Sequence, residues 1–119
     1  MNTDDAKHVV MQYFHAIDAG DLDTALAQFS QDSVYERPGY PPLEGIDQIR
    51  NFYQSVRVIR RGRHTLEGLL VEGDQAVTWG VFEGESRDGV QLQERWSDVY
   101  RLKGGKIAYR RTHFFRAAV

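Results

Sequence analysis

The side chains of this 119-residue chain that could do chemistry are carboxylates, tyrosines and histidines, because it contains no cysteine. That absence excludes disulfides, thiolate zinc sites, iron–sulfur ligation and cysteine nucleophiles together. The chain has no His-Glu-x-x-His zinc signature, phosphate-cradling glycine loop, Gly-x-Ser-x-Gly elbow or dinucleotide fingerprint. Its four histidines, His8, His15, His64 and His113, share no ligand spacing. The expectation is therefore no metal and no cofactor, with any reaction carried by acid–base groups around a pocket.

The most informative segment runs from Val90 to Leu102. A strand period of two places Glu94, Trp96, Asp98, Tyr100 and Leu102 on one face, and Arg95, Ser97, Val99 and Arg101 on the other. The first face carries more apolar surface and should look inward, taking two acids with it. An acid in apolar surroundings can stay protonated near neutral pH and donate a hydrogen bond. The alternative is that Asp98 pairs with an arginine across the sheet, such as Arg110. Tyr13 and Tyr53 sit on the apolar sides of two helices; they are either core aromatics with wet tips, or donors aimed into a cavity.

These residues need elements to position them. From Asp4 to Ala19 apolar residues recur at three-and-four spacing, with Thr3 as the expected N-cap, and Gly20 stops the helix. Asp21 caps a short second helix bearing Leu22, Ala25, Leu26 and Phe29. A brief strand, 33–37, runs into the irregular loop Pro38-Gly39-Tyr40-Pro41-Pro42. After Gly45, a third helix carries Ile46, Ile49, Phe52, Tyr53 and Val56 and fades near Gly62. Gly73-Asp74, Asp88-Gly89 and Gly104-Gly105 then punctuate four expected strands, 64–72, 75–87, 90–102 and 106–116. Three helices followed by a twisted antiparallel meander predict one α+β domain over 1–119, a sheet wrapped around a helix with a cavity at its open end.

Composition agrees with one globular domain. The chain has 15 basic and 17 acidic residues, a formal charge of −2, and 41% hydrophobic residues. That balance gives no reason to expect a nucleic-acid or membrane partner. The N-terminal residues lack the basic and apolar regions of a signal peptide, and a cytoplasmic location is the expectation. The basic run Arg57, Arg60, Arg61, Arg63 reads as a solvated face at a helix C-terminus.

The stretch from Val10 to Asp23, then Pro38, Gly45 and Ile49-Arg50-Asn51-Phe52-Tyr53, followed by Asp98-Val99-Tyr100-Arg101 and Gly105-Lys106-Ile107, resembles the bacterial ketosteroid isomerases. The likeness spans nearly the whole chain. It places the sequence among the nuclear transport factor 2-like (cystatin-like) folds, which also include SnoaL-type polyketide cyclases, scytalone dehydratase and limonene epoxide hydrolase. The resemblance implies a cone of three helices on a strongly curved sheet, a hydrophobic small-molecule ligand and a homodimer. It puts Tyr13 where the isomerases hold an oxyanion-hole tyrosine, Asp98 where they hold a protonated aspartic acid, and Tyr53 where a tyrosine supports the first.

The same comparison exposes departures. The isomerase base precedes the loop proline, and here Arg37 precedes Pro38; a guanidinium cannot abstract a proton at neutral pH. Replacement bases are Glu36, Glu83 or Glu94, while Arg37 could instead hold an anionic substrate group. The SnoaL-type acid–base aspartate falls at Thr112, and the Arg and Asp set of the epoxide hydrolases is not reproduced. A dehydratase-like site would use His64 or His113 with Tyr13, Tyr35 or Tyr40, but both histidines read as structural or surface residues. The expected pocket wall comprises Phe14, Tyr35, Trp79, Val81, Trp96, Tyr100, Arg110, Thr112 and Phe114, with Arg37 and Tyr40 at the mouth. The leading reading is an isomerase- or cyclase-like enzyme that holds the enolate of a hydrophobic cyclic or polyketide-like ketone through Tyr13 and Asp98. The alternative is a non-catalytic ligand-binding or dimerisation module.

Overall fold

A computed structural model describes residues 2–117. Helix α1 spans Thr3–Asp18, α2 Leu22–Leu26 and α3 Ile46–Asn51, the last continuing into a π-helical turn over Phe52–Val56. The strands are β1 Phe29–Glu36, β2 Leu43–Glu44, β3 Ile59–Glu72, β4 Gln75–Ser86, β5 Gln91–Lys103 and β6 Lys106–Phe114. They form one sheet in the order β2-β1-β6-β5-β4-β3, antiparallel except where β1 runs parallel to β6. The fold is α+β, as expected, with helices on one face of a curved sheet.

Helix α1 turns its apolar stripe to the sheet, burying Ala6, Val9, Val10, Tyr13, Phe14 and Ala16. Its cap is Asn2 rather than Thr3: the Asn2 side chain accepts the Asp5 amide at 2.8 Å. The Asp21 cap of α2 accepts the Thr24 amide at 3.1 Å. Gly20, with φ of 76°, gives the left-handed turn that lets α2 fold back on α1.

The largest revisions lie in the sheet. Phe29 begins β1 instead of ending α2, and β3 begins at Ile59, so the Arg60-Arg61 stretch is strand. Outward-facing Arg60 and Arg61 meet Glu85 on β4 at 3.6 and 2.9 Å. Strand β4 is turned over relative to expectation. Ala76, Thr78, Gly80 and Phe82 are buried on the inner face, whereas Val77, Trp79, Val81 and Glu83 occupy the outer one. The cross-strand pairs Gly80 with Trp96 and Phe82 with Glu94 fix that assignment, because β5 presents Glu94, Trp96, Asp98 and Tyr100 inward.

Glycine makes the tight inner curve possible. A Cβ on Gly80 would lie 2.0 Å from the Thr65 carbonyl oxygen and 3.0 Å from the Trp96 ring, so neither the neighbouring backbone nor the cavity wall tolerates a side chain there. Gly68 lies beside an irregularity in the β3–β4 pairing, with the Trp79 ring across it. Gly80→Ala is expected to cost about 3 kcal/mol of stability from the backbone collision. Urea unfolding measures it, and a loss within experimental error would mean that β3 and β4 approach less closely than described.

Candidate functional site

At the centre of the inner sheet face, Asp98 of β5 and Arg110 of β6 form an ion pair with Nη2 and Oδ2 3.0 Å apart and both side chains buried. The remaining acceptor capacity of Asp98 is filled from its own strand and both neighbours. Oδ2 accepts Trp96 Nε1 at 2.8 Å, the Tyr100 hydroxyl at 2.8 Å and Thr78 Oγ1 at 3.2 Å, and Oδ1 accepts Thr112 Oγ1 at 2.6 Å. Every partner is a donor, which leaves the carboxyl no use for a proton of its own. Burial pushes its pKa up, but the Arg110 charge and these hydrogen bonds outweigh burial and hold it below the ordinary carboxylate value. The expectation of a neutral, proton-donating Asp98 is thus corrected: it is an ionised anchor, and the pairing with Arg110 is the arrangement found.

Arg110 is the hub of the second half. Its Nη1 donates to the Tyr13 hydroxyl at 2.7 Å and to the Tyr53 hydroxyl at 3.0 Å, and those two hydroxyls are hydrogen-bonded to each other. Two hydroxyls have two protons, and their mutual bond uses one. The other remains to be offered elsewhere. Tyr13 is the member that lines the cavity, so when Tyr53 donates to Tyr13, the Tyr13 O–H is aimed inward. Burial raises the Tyr53 pKa well above the usual phenol value, which keeps that hydroxyl protonated and able to donate.

A second chain of donors runs from Arg37. Arg37 Nη1 donates to the Tyr35 hydroxyl at 2.9 Å, Tyr35 bonds Thr112 Oγ1 at 2.9 Å, and Thr112 gives its proton to Asp98. Thr112 has one hydroxyl proton, so Tyr35 is the donor in its bond to Thr112. Burial pushes the Tyr35 pKa up, yet the Arg110 and Arg37 charges more than offset it.

These groups enclose a cavity of about 20 Å³, room for roughly one water molecule. Its polar wall is Tyr13, Arg37, Arg57, His64, Arg110 and Thr112; Ile59, Phe82, Trp96 and Phe114 complete it. It is smaller and more cationic than a pocket for a hydrophobic cyclic ketone. Three guanidinium groups face it or border it, and Asp98 is the carboxylate buried behind them. Arg57, expected on a solvated face, instead turns inward over the Tyr53 ring at 5.2 Å.

The other expected side chains fall as follows. Phe14 packs behind Tyr13 and against Trp96. Tyr100 and Tyr35 stand behind the wall as hydrogen-bond partners of Asp98 and Thr112. Tyr40 packs edge-on against Phe52 and does not line the cavity. Trp79 and Val81 are on the outer face, a consequence of the β4 register. The three replacement bases do not reach the cavity. Glu36 points outward and accepts the Tyr109 hydroxyl at 2.5 Å, Glu83 is exposed on the outer face, and Glu94, though buried, is engaged by Arg116 with Nε and Oε1 3.0 Å apart.

His64 is the residue whose importance the sequence understated. Its ring is nearly buried, packed among Phe14, Phe82 and Trp96 with centroids 5.0, 4.7 and 5.0 Å away. Its Nδ1 lies 2.6 Å from Asp18 Oδ1, while Asp18 Oδ2 accepts the His64 backbone amide at 2.8 Å. One signal was available: Asp18 ends α1, where the dipole disfavours an acid, and such a residue implies a compensating donor. Among the described residues no group of three or more His, Asp or Glu could hold a metal, and no helix is long and apolar enough to cross a membrane.

The family model for the SnoaL-like domain matches residues 10–110. The chain belongs to the SnoaL-like domain family. Solved structures with the same fold include a nuclear transport factor 2-like protein of Burkholderia pseudomallei (20% identity, 96% of this chain and 92% of that one, TM-score 0.86). A candidate SnoaL-like polyketide cyclase from a Jannaschia species is 17% identical over 93% of this chain and 85% of that one, with a TM-score of 0.81. An epoxide hydrolase of M. tuberculosis, similar to limonene epoxide hydrolase, is 20% identical over 94% and 84%, at 0.82. At these identities the likeness shows the fold, and the SnoaL-like fold is that of a pocket protein; the reaction must be argued from the site.

The buried pair yields a thermodynamic prediction. Arg110→Met leaves Asp98 charged and unpaired and should cost about 3–5 kcal/mol, whereas Arg110→Met combined with Asp98→Leu should cost clearly less than the sum of the single changes. A double-mutant cycle by denaturant unfolding measures the coupling, and simple additivity would contradict the pair. Since the folded-state pKa of Asp98 lies below its ordinary 3.8, the stability it contributes is complete above that value and is lost as pH falls through the folded-state pKa.

Proposed function

We propose that this SnoaL-like protein is a small-molecule acid–base enzyme, isomerase- or lyase-like, whose cavity stabilises an oxyanion formed on a compact ketone, enol or phenol. The observation that carries the reading is the Tyr13–Tyr53 pair: two hydroxyls bonded to each other, both accepting from Arg110 Nη1, with one proton between them left to donate and Tyr13 at the cavity wall. A donor fixed in a nearly dry site, with a guanidinium directly behind it, favours negative charge on an oxygen placed against it and needs no reorganisation as that charge develops. Asp98 acts through Arg110: it keeps the guanidinium in place and charged without touching the ligand. Arg37 and Arg57 raise the positive potential of the same space, and either can hold a second acidic group of the ligand.

The ligand must be small, or Phe114 must move. Phe114 closes one side of the cavity, is only partly buried, and has the Arg37 guanidinium stacked 5.1 Å from its ring centroid. Its displacement would open the site toward the sheet end without disturbing the Asp98 network.

A second reading rests on the outer face of the sheet. Leu70 is 64% exposed and Val77 and Trp79 are each 38% exposed. Leu70 pairs with Val77, and Trp79 with Gly68 and Ser97, so the three share one face. An apolar patch of this kind supports self-association through the sheet, the homodimer that the resemblance implies. Trp79→Lys is expected to shift a dimer to monomer in light scattering and leave the fold intact. A wild-type protein that stays monomeric at high concentration would remove this reading.

Titration with para-nitrophenol, whose absorbance separates phenol from phenolate, tests the oxyanion site. A Phe114→Ala variant, whose wider cavity admits the ring, should bind the phenolate at about pH 7, and adding Tyr13→Phe to it should weaken that binding about ten- to a hundredfold. Binding of the neutral phenol, indifferent to Tyr13, would refute the oxyanion reading.

A further inference from the structure

An oxyanion site needs a partner that takes the proton, and the glutamates considered from sequence do not face the cavity. We propose that His64 is the general base of this cavity and that Asp18 is the residue that positions it. The proposal deepens the oxyanion reading and rests on it.

The geometry is a two-point grip. Asp18 Oδ2 accepts the His64 backbone amide and Oδ1 lies 2.6 Å from ring Nδ1, so the end of α1 fixes both the strand and the imidazole of β3. Anchoring β3 to α1 would need only the backbone bond. The second bond makes Nδ1 the protonated nitrogen, since an ionised carboxylate can only accept, and leaves a lone pair on Nε2, on the other side of the ring. The ring belongs to the cavity wall that also holds Tyr13 and Arg110. Phe14, Phe82 and Trp96 surround the imidazole and prevent it from turning out to water.

The charged and titratable groups facing the ring are Asp18 and Tyr13 from α1, Arg57 ahead of β3, Arg37 after β1 and Arg110 from β6. Strand β4 presents Phe82, and β5 presents Trp96 and, opposite Phe82, Glu94, which is engaged by Arg116. Burial pushes the His64 pKa below its ordinary 6.5. The hydrogen bond and charge of Asp18 pull it up, and Arg57 and Arg110 push it down again. The imidazole is therefore neutral at about pH 7, the state in which a base can accept a proton.

In the reaction this permits, Nε2 takes a proton from the carbon beside a bound carbonyl. The C–H electron pair becomes the new C=C bond, and the carbonyl electrons move to oxygen, where Tyr13 and Arg110 hold the charge. The imidazolium, steadied by Asp18, returns the proton to another carbon in an isomerisation. In a dehydration it gives the proton to a departing hydroxyl, which leaves as water. No co-reactant is consumed.

The test follows the proton by imidazole nitrogen NMR while para-nitrophenol is added to the wild-type protein and to Phe114→Ala, whose wider cavity admits the ring, with the substitutions below made in the Phe114→Ala background. Before addition, His64 should show protonated Nδ1 and bare Nε2. After addition, imidazolium at His64 should form in step with phenolate absorbance, without release of protons to a weak buffer. In His64→Gln the phenolate should still form but its proton should enter the buffer, and Asp18→Asn should lower the His64 pKa and reduce the transfer. Phenolate that forms with the Tyr13 dependence while His64 stays neutral would overturn the proposal and leave the oxyanion reading standing. Absence of phenolate in Phe114→Ala would overturn both, and a protonated Nε2 in the free protein would overturn the assignment of His64 alone.

Discussion

A charged pair sealed inside a sheet dictates most of what surrounds it. Removing Asp98 and Arg110 from water costs several kcal/mol for each ion. That cost is offset by their mutual geometry and by hydrogen bonds to the carboxylate oxygens and to both terminal guanidinium nitrogens, although Arg110 Nε is buried with no hydrogen-bond partner among the described residues. The neighbours are accordingly polar residues at inner-face positions that would otherwise carry aliphatic ones: Thr78 on β4, Trp96 and Tyr100 on β5, Thr112 on β6. Tyr13 and Tyr53 are drawn in through the other end of the guanidinium. A network of this kind specifies its own geometry, since rotating one member strands its partner in a low-dielectric interior.

The arrangement divides labour in an uncommon way for a carboxylate in a pocket. Asp98 neither donates a proton nor contacts the cavity; its charge is spent on keeping a cation in place. The cavity then has a surplus of positive charge from Arg37, Arg57 and Arg110. That surplus favours oxyanions, while burial first and Arg57 and Arg110 after it keep the histidine neutral in the resting site; the Asp18 carboxylate is what offsets the cations when the imidazole takes a proton.

Much of the scaffold could be read from the chain. The apolar stripe of α1, the α1–α2 corner at Gly20 and the alternation of β5 each follow from local period, because one partner surface decides which side is buried. The resemblance to the ketosteroid isomerases directed attention to Tyr13, Tyr53 and Asp98, and the structure brings all three onto Arg110. Strand β4 could not be oriented in the same way. Val77, Trp79 and Val81 outweigh Ala76, Thr78 and Gly80 in apolar surface, and the heavier face is the outer one. The ionisation of Asp98 was not legible either, because it depends on donors from three strands. The His64–Asp18 contact joins residues 46 positions apart, beyond any window in which spacing carries information.

The parallel pairing of β1 with β6 bears on how the chain comes together. Phe29 aligns with Ile107 and Tyr35 with Arg110, so the first long strand finds its central-side neighbour in the last one. During synthesis, β1 emerges before β6 and must wait for everything from β2 to β5 to follow it. Loop-closure entropy makes such distant pairings slow, and the exposed edge of β1 is open to other chains in the interval. Arg110 lies on that closing strand, and the buried charge of Asp98 acquires its counterion only then. Assembly of the cavity thus waits for β6, and a chain without that strand can contain nearly every other element of the scaffold while lacking the ion pair at the centre of the site.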